Sequence, residues 1–473
     1  MRNKMHTICT AAMLWLICSF HISAETVTLS GNASEWVSAD LVFYRYKELI
    51  ANSEEVIGAT KTNAEGAFEL TITIDDTEYI FTRLGIYQLY LYAEPGKKYE
   101  LALPPFQEKS PNDLLNPYFE PLTIQTGIVN IEDDDINMLI RMFDDSYEPF
   151  YSKHVVEAVG GKDFSKLDDD IRSIEAPFRK SDNKYFKEYR EYKYAYLRYL
   201  SLQHQVMVIS EMFFTGKPVL YHNPAYMDLF NQVFDDYFLY HGRTDKGKKV
   251  YDDINVSKDY GELYQTLKKN DLFKDDVLLE LVVLKNLFDE FYNDKFSRTG
   301  ILQVLDSLAS RTGVPESRKI ALIIRQKITK LLAGYPPPDF ELYDLDSNLV
   351  HLRDFRGRYL YLNFCACSSY SCLKEFELLQ GIYERHKSRI EIVTVAIDSY
   401  EVSLSAFLKK NNYHWKFLYY GHGAEVMKDY DIRAFPTYFL IGPDGNLIQS
   451  PAPSPQENFE GRLFEILRAR GDL

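Results

Sequence analysis

The stretch Tyr359-Leu360-Tyr361-Leu362-Asn363-Phe364-Cys365-Ala366-Cys367-Ser368-Ser369-Tyr370-Ser371-Cys372-Leu373-Lys374-Glu375 decides the fold of the last third of the chain. It opens with an apolar, aromatic-rich run, Tyr359 to Phe364, that reads as a strand. A serine-rich turn follows, and Cys372 to His386 reads as a helix. Working outward, Ile390 to Ile397 reads as a buried strand, Val402 to Lys410 as a helix and Thr437 to Ile441 as a strand. The turn Gly442-Pro443-Asp444-Gly445 leads to a last strand, Asn446 to Gln449, and a closing helix, Phe459 to Arg470. Strands alternating with helices of this length predict an α/β domain over residues 335–473.

Upstream, Gly334-Tyr335-Pro336-Pro337-Pro338 ends the preceding helix, because consecutive prolines supply no helix donors. Residues 116–334 read as a helical middle domain, with apolar stripes at Leu278–Phe291 and Ile301–Leu308 and a helix over Glu316–Leu332. Tyr185, Tyr189, Tyr192, Tyr196 and Tyr199 follow spacings of four and three, so they share one helix face. That face is either a buried seam, the reading we favour, or an aromatic groove. Residues 25–115 read as a β-rich, sandwich-like domain with strands at Val27–Leu29, Asp40–Tyr44 and Phe68–Ile74. Turns are expected at Asn63-Ala64-Glu65-Gly66 and Glu94-Pro95-Gly96. The predicted architecture is therefore multi-domain: an N-terminal β-sandwich, a helical middle and a C-terminal α/β unit.

Residues 1–24 read as a secretory signal peptide: Arg2 and Lys4, a short apolar stretch from Thr7 to Phe20, then Ile22-Ser23-Ala24 before Glu25. An uncleaved anchor is the alternative. Cys18 follows bulky Trp15-Leu16-Ile17, where a lipoprotein signal needs small residues. No later segment is long and apolar enough to span a bilayer. The protein is expected in the periplasm or cell envelope. The 473 residues carry a formal charge of −15, which argues against nucleic acid or anionic membrane as a partner. With 36 Tyr and 30 Phe, large aromatic cores are expected. Three of the five cysteines, Cys365, Cys367 and Cys372, fall within eight residues, which points to a local chemical site rather than a disulfide framework.

Pro338-Asp339-Phe340, Phe355-Arg356-Gly357-Arg358, Leu362-Asn363-Phe364, Ala434-Phe435-Pro436-Thr437 and Phe439-Leu440-Ile441-Gly442-Pro443-Asp444-Gly445 are five ordered pieces over about 135 residues. Together they resemble the TlpA/ResA-like thiol–disulfide oxidoreductases, a thioredoxin-fold family related to the AhpC/TSA proteins. The family carries Trp-Ala-Thr-Trp-Cys-x-x-Cys after its Asn-Phe. By this resemblance Cys365 stands at the first Trp, Cys367 at the Thr and Ser368 at the second Trp. Ser369 replaces the first redox cysteine, Tyr370 and Ser371 fill the middle, and Cys372 matches the second cysteine. Pro436, after Phe435, corresponds to the family's cis-proline, beside which an extended substrate peptide docks.

The resemblance implies thiol–disulfide exchange, and the substitution at Ser369 changes it. The attacking group must be a thiolate, which a helix N-terminus stabilises. It forms a mixed disulfide that the second cysteine resolves. A serine hydroxyl stays protonated and forms no S–S bond; Ser369 can instead cap the helix. Three readings of the cysteines stay open: Cys372 is inert and buried, Cys372 reacts alone, or Cys367 and Cys372 pair. A copper site on Cys367 and Cys372 would need His414 or His422, and neither has supporting spacing. No metal and no cofactor are expected. The alternatives to an enzyme are a peptide-binding module around Tyr370, Phe435 and Pro436 for exported proteins or peptides, or an interaction protein working through its first two domains.

Overall fold

The computed structural model describes residues 25–110, 113, 116, 118–160, 165–202, 205–366, 369–397, 404, 408, 410–420 and 424–473. The signal segment, Cys367, Ser368, most of the helix expected at Val402–Lys410, and His422 lie outside the described residues.

The first nine strands are β1 (Glu25–Asn32), β2 (Asp40–Glu48), β3 (Ser53–Lys61), β4 (Ala67–Ile74), β5 (Glu78–Leu84), β6 (Tyr87–Ala93), β7 (Lys98–Ala102), β8 (Leu122–Gln125) and β9 (Gly127–Ile128). They form two mixed sheets, ordered β4-β1-β7-β9 and β3-β2-β5-β6-β8. Val27 and Leu29 from the first sheet and Leu41, Phe43, Leu89 and Leu91 from the second are buried in one shared apolar cluster. The period-two alternation of these strands puts one face of each sheet into that cluster. Strands β8 and β9 join the sheets beyond residue 115, where the sequence suggests an end. Both are too short for alternation to register. The turn expected at 63–66 forms with Gly66 at φ +82, where an added Cβ would meet the Ala33 carbonyl oxygen at 2.2 Å, so only glycine fits.

Between residues 136 and 329 the described chain is helical. The longer helices are α1 (Ile136–Gly160), α2 (Lys184–Ser201), α3 (Pro224–Val233), α4 (Asp276–Asp289), α5 (Arg298–Arg311) and α6 (Pro315–Thr329). Asn183, Asn223, Asp275 and Ser297 each cap a helix by accepting a backbone N–H. The tyrosine face of α2 is mostly a buried seam: Tyr189, Tyr192 and Tyr199 are buried in the helical core, while Tyr185 and Tyr196 pack on it half-buried. That core takes in Tyr92 from β6 and Ile50 and Ala51 from the turn between β2 and β3. The Glu48 carboxylate accepts the Ile50, Ala51 and Ser53 backbone N–H groups at 2.7–3.0 Å, shaping the turn that enters the helices. Asn137 binds both the N–H and the carbonyl of Tyr92, at 2.8 and 2.9 Å, as a neighbouring strand would.

The last sheet is β11-β10-β14-β13-β12-β15-β16. Its strands are β10 (Glu341–Asp344), β11 (Leu349–His351), β12 (Tyr359–Cys365), β13 (Ile390–Ala396), β14 (Lys416–Tyr419), β15 (Thr437–Ile441) and β16 (Leu447–Gln449). Strands β12, β13 and β14 run parallel, and β15 runs antiparallel to β12. Helices α7 (Tyr370–His386) and α9 (Phe459–Arg470) cover one face, and α8 (Ala424–Asp429) lies on the other. Every residue of β12 is buried, as expected of a central strand covered on both sides. Tyr359, Tyr361 and Cys365 face α7 and α9, while Leu360, Leu362 and Phe364 face the opposite cluster. The Gly334 N–H donates to the Leu447 carbonyl at 2.7 Å and the Leu447 N–H to the Tyr335 carbonyl at 2.8 Å, so the residues before the prolines line the edge of this sheet. Among the described residues, no helix is long and apolar enough to cross a membrane.

Candidate active site

The site is built where β12 ends, α7 begins and β15 starts. The Ser369 N–H donates to the Ala366 carbonyl at 2.9 Å and closes the turn. Helix α7 begins at Tyr370, two residues before the start expected from sequence, with extended Ser369 at its N-cap. The hydroxyl capping bond expected of Ser369 is not made. Its backbone carbonyl accepts the Leu373 N–H at 3.0 Å, the first bond of the helix. Cys372 falls in the first turn, where unpaired N–H groups gather. Tyr370 and Ser371 face outward, Tyr370 with 71% exposure and the Lys374 ammonium 4.7 Å from its ring centroid.

Pairing of Phe364 with Thr437 brings the start of β15 beside the end of β12. The Phe435–Pro436 peptide just before it is cis, and both residues are half-buried. Ser369, Tyr370, Ser371, Cys372, Phe435 and Pro436 therefore belong to one end of the sheet. Cys367 lies outside the described residues. His414 is exposed, with Nε2 3.1 Å from the Asn412 amide nitrogen. Among the described residues, no cluster of three His, Cys, Asp or Glu side chains could hold a metal.

Behind the helix start lies a buried polar group that the sequence reading did not single out. Cys365 and Cys372 are both fully buried in the cluster shared with Tyr361, Phe376 and Tyr438. Tyr361 stacks on Tyr438 at 5.0 Å between centroids and on Phe459 at 3.6 Å, and its hydroxyl donates to the Pro453 carbonyl at 2.6 Å. Burial holds the Tyr438 hydroxyl far above its ordinary range, and the neighbouring Cys365, Tyr361, Glu375 and Cys372 push it the same way. The Tyr438 hydroxyl and Glu375 Oε2 are buried without a hydrogen-bond partner. Burial also raises the Glu375 carboxyl, against hydrogen bonds from Ser454 and the Gln456 backbone. Two patterns carry this cluster: alternation puts Tyr361 and Cys365 on one face of β12, and a three-residue helical step puts Glu375 one turn beyond Cys372.

Thiol chemistry here is constrained by access. A thiolate must reach a partner's sulfur in line, and Cys372 presents no surface to solvent. The group presented at the turn is the half-buried Ser369 alcohol. Helix α8 and the loop that leads from it to the cis peptide are tied to residues of the N-terminal and helical parts of the chain. Lys428 pairs with Glu54 at 2.9 Å, Glu54 with Arg83 at 2.6 Å, Lys330 with Asp429, and the Tyr118 hydroxyl with Asp431.

The Redoxin family model matches residues 332–461. The thiol-disulfide oxidoreductase ResA of Bacillus thuringiensis subsp. konkukian is 32% identical over 143 residues, 30% of this chain and 82% of that protein. The ResA of Bacillus subtilis is 28% identical over 155 residues, 33% of this chain and 82% of that protein. Among solved structures, a thiol-disulfide oxidoreductase from Bacteroides fragilis is 25% identical with a TM-score of 0.25, covering 28% of this chain and 99% of that one. On the extent of the ResA match, the chain belongs through its C-terminal, thioredoxin-like domain to the TlpA/ResA-like family of thiol–disulfide oxidoreductases.

Proposed function

We propose that this is an exported member of the family in which ordinary two-cysteine turnover has been lost or altered at the helix N-terminus. The observation that supports this most is Ser369 at the N-cap of α7, three residues before the buried Cys372. An alcohol there leaves no sulfur to open a substrate disulfide, so electrons cannot pass through the usual pair. In this reading Cys372, with Cys367 five residues before it in sequence, is the remaining thiol chemistry, and the protein needs no cofactor. A β-sandwich from residue 25 and a helical domain precede the thioredoxin-like one.

A second reading rests on the cis Phe435–Pro436 peptide and the exposed Tyr370. Backbone beside a cis-proline can take an extended peptide by strand addition, and that capacity needs no sulfur. An exported peptide would then be held rather than reduced.

Insulin reduction by the mature protein tests the first reading, and peptide binding tests the second. The first reading expects negligible turnover in the natural protein and a dithiol that equilibrates with glutathione in Ser369→Cys. Brisk turnover by the natural protein sinks it. The second reading expects peptide binding that survives replacement of all three cysteines and is lost in Pro436→Ala. N-terminal sequencing of secreted material should begin at Glu25.

A further inference from the structure

Away from the thioredoxin-like domain, a cavity of about 420 Å³ opens between α1, α2 and α3. Its aromatic walls are Tyr147, Tyr151, Tyr192 and Tyr196. Tyr147 and Tyr151 stack at 5.9 Å between centroids, and Tyr196 meets Tyr151 edge to face at 6.0 Å.

Two acceptors of this cavity have no donor among the described residues. Asp228 lines it, is itself open to solvent, and makes no hydrogen bond and no ion pair within 4 Å among the described residues. The surrounding protein pushes its carboxyl above the usual range, with the Lys193 charge opposing. Asn231 donates its amide to the Leu49 carbonyl at 2.8 Å, which fixes the amide's orientation and leaves Oδ1 buried without a donor. Glu148 adds a second carboxylate to the lining. The Lys193 ammonium lies 5.5 and 5.3 Å from the ring centroids of Tyr147 and Tyr189 and makes no ion pair within 4 Å among the described residues. Its charge also acts on nearby Asp144, so the carboxylates around it outnumber it.

We infer that this cavity binds a small aliphatic amine in its ammonium form. An ammonium group offers donors and no acceptor, which suits the Asp228 and Glu148 carboxylates of the lining. Its charge balances the surplus of carboxylates, and tyrosine faces attract cations, as the position of Lys193 illustrates. The Asp228 side chain faces this cavity without a partner among the described residues, so a ligand donor can reach it without breaking an internal bond. A neutral polyol would answer the acceptors and leave the charge unanswered.

Calorimetric titration of the full chain with putrescine, against 1,4-butanediol of the same length, tests this. The expected result is saturable putrescine binding, no butanediol binding, and affinity at least about tenfold weaker in Asp228→Asn, as loss of a charge-assisted hydrogen bond implies. Glu148→Gln is expected to weaken binding as well. Asp228→Asn should unfold at or above the wild-type midpoint, since no internal bond is lost, so lost binding reports the site. No putrescine binding, equal binding of butanediol, or unchanged affinity in folded Asp228→Asn overturns the inference.

Discussion

Ser369 is the N-cap of α7, and Cys372, three residues on, is fully buried in the first turn of the same helix. The helix N-terminus stabilises negative charge near it, which favours a thiolate at Cys372. Burial in an apolar cluster works in the opposite direction and also blocks approach. Access therefore governs the chemistry of this sulfur.

The first prediction concerns that access. Cys365 and Cys372 should react with a thiol reagent at least about 100-fold more slowly in the native protein than in guanidinium, because modification requires local opening. Labelling followed by peptide mass spectrometry reads each site separately. Rapid native labelling of Cys372 contradicts its burial.

Asn363 is a buried polar residue at the centre of β12. Its amide donates to the Val393 carbonyl at 3.1 Å and to Thr394 Oγ1 at 3.0 Å, and Trp415 Nε1 donates to the same hydroxyl at 2.8 Å. Asn363→Ala should destabilise the chain by about 1–3 kcal/mol, through lost hydrogen bonds and a small void. The shift of the denaturant midpoint measures it.

Glu375 gives a pH signature. Burial raises its carboxyl above the ordinary value of 4.5. The folded state then binds a proton that the unfolded chain has released, so stability falls as pH rises from about 4.5 through the folded pKa. Glu375→Gln should flatten that fall and equal or exceed wild-type stability at neutral pH. Urea titrations from acid to slightly alkaline pH report it, and a steeper fall in the variant contradicts the assignment.

Glu54 has the opposite sign. Burial pushes its carboxyl up, but hydrogen bonds and charge from Arg83 and Lys428 hold it below its ordinary value of 4.5. Its stabilising contribution is present above that ordinary value and is lost as pH falls through the lower folded one. Glu54→Gln should cost on the order of 1 kcal/mol at neutral pH, with the deficit shrinking in acid or high salt, as expected of partly exposed pairs. An unchanged midpoint at neutral pH would mean that the contact between the N-terminal sheet and α8 contributes nothing.

Much of this fold was legible because local pattern and tertiary demand agree. The apolar run Tyr359–Phe364 is the central strand, and the tyrosines of α2 lie largely in a buried seam. What escaped depends on contacts far apart in sequence. Strands β8 and β9 are recognisable only by their pairing with β6 and β7. The entry of the 48–53 turn into the helical core rests on Leu49, Ile50 and Ala51 meeting residues distant in sequence, among them Asn231 and Lys327. At the site, Ser369, Cys372 and Pro436 could be placed by resemblance. Glu375 passed as an ordinary helix residue because nothing local reveals that the Tyr438 side of α7 is buried.

The most direct measurement is a glutathione redox titration of the natural protein beside Ser369→Cys, with mass spectrometry locating the bonds. The expectation is no reversible dithiol couple through residue 369 in the natural protein, and in the variant a clear couple between the thiol introduced at that position and Cys372. Reversible two-electron cycling of the natural protein, with insulin reduction at the variant's rate, would contradict it.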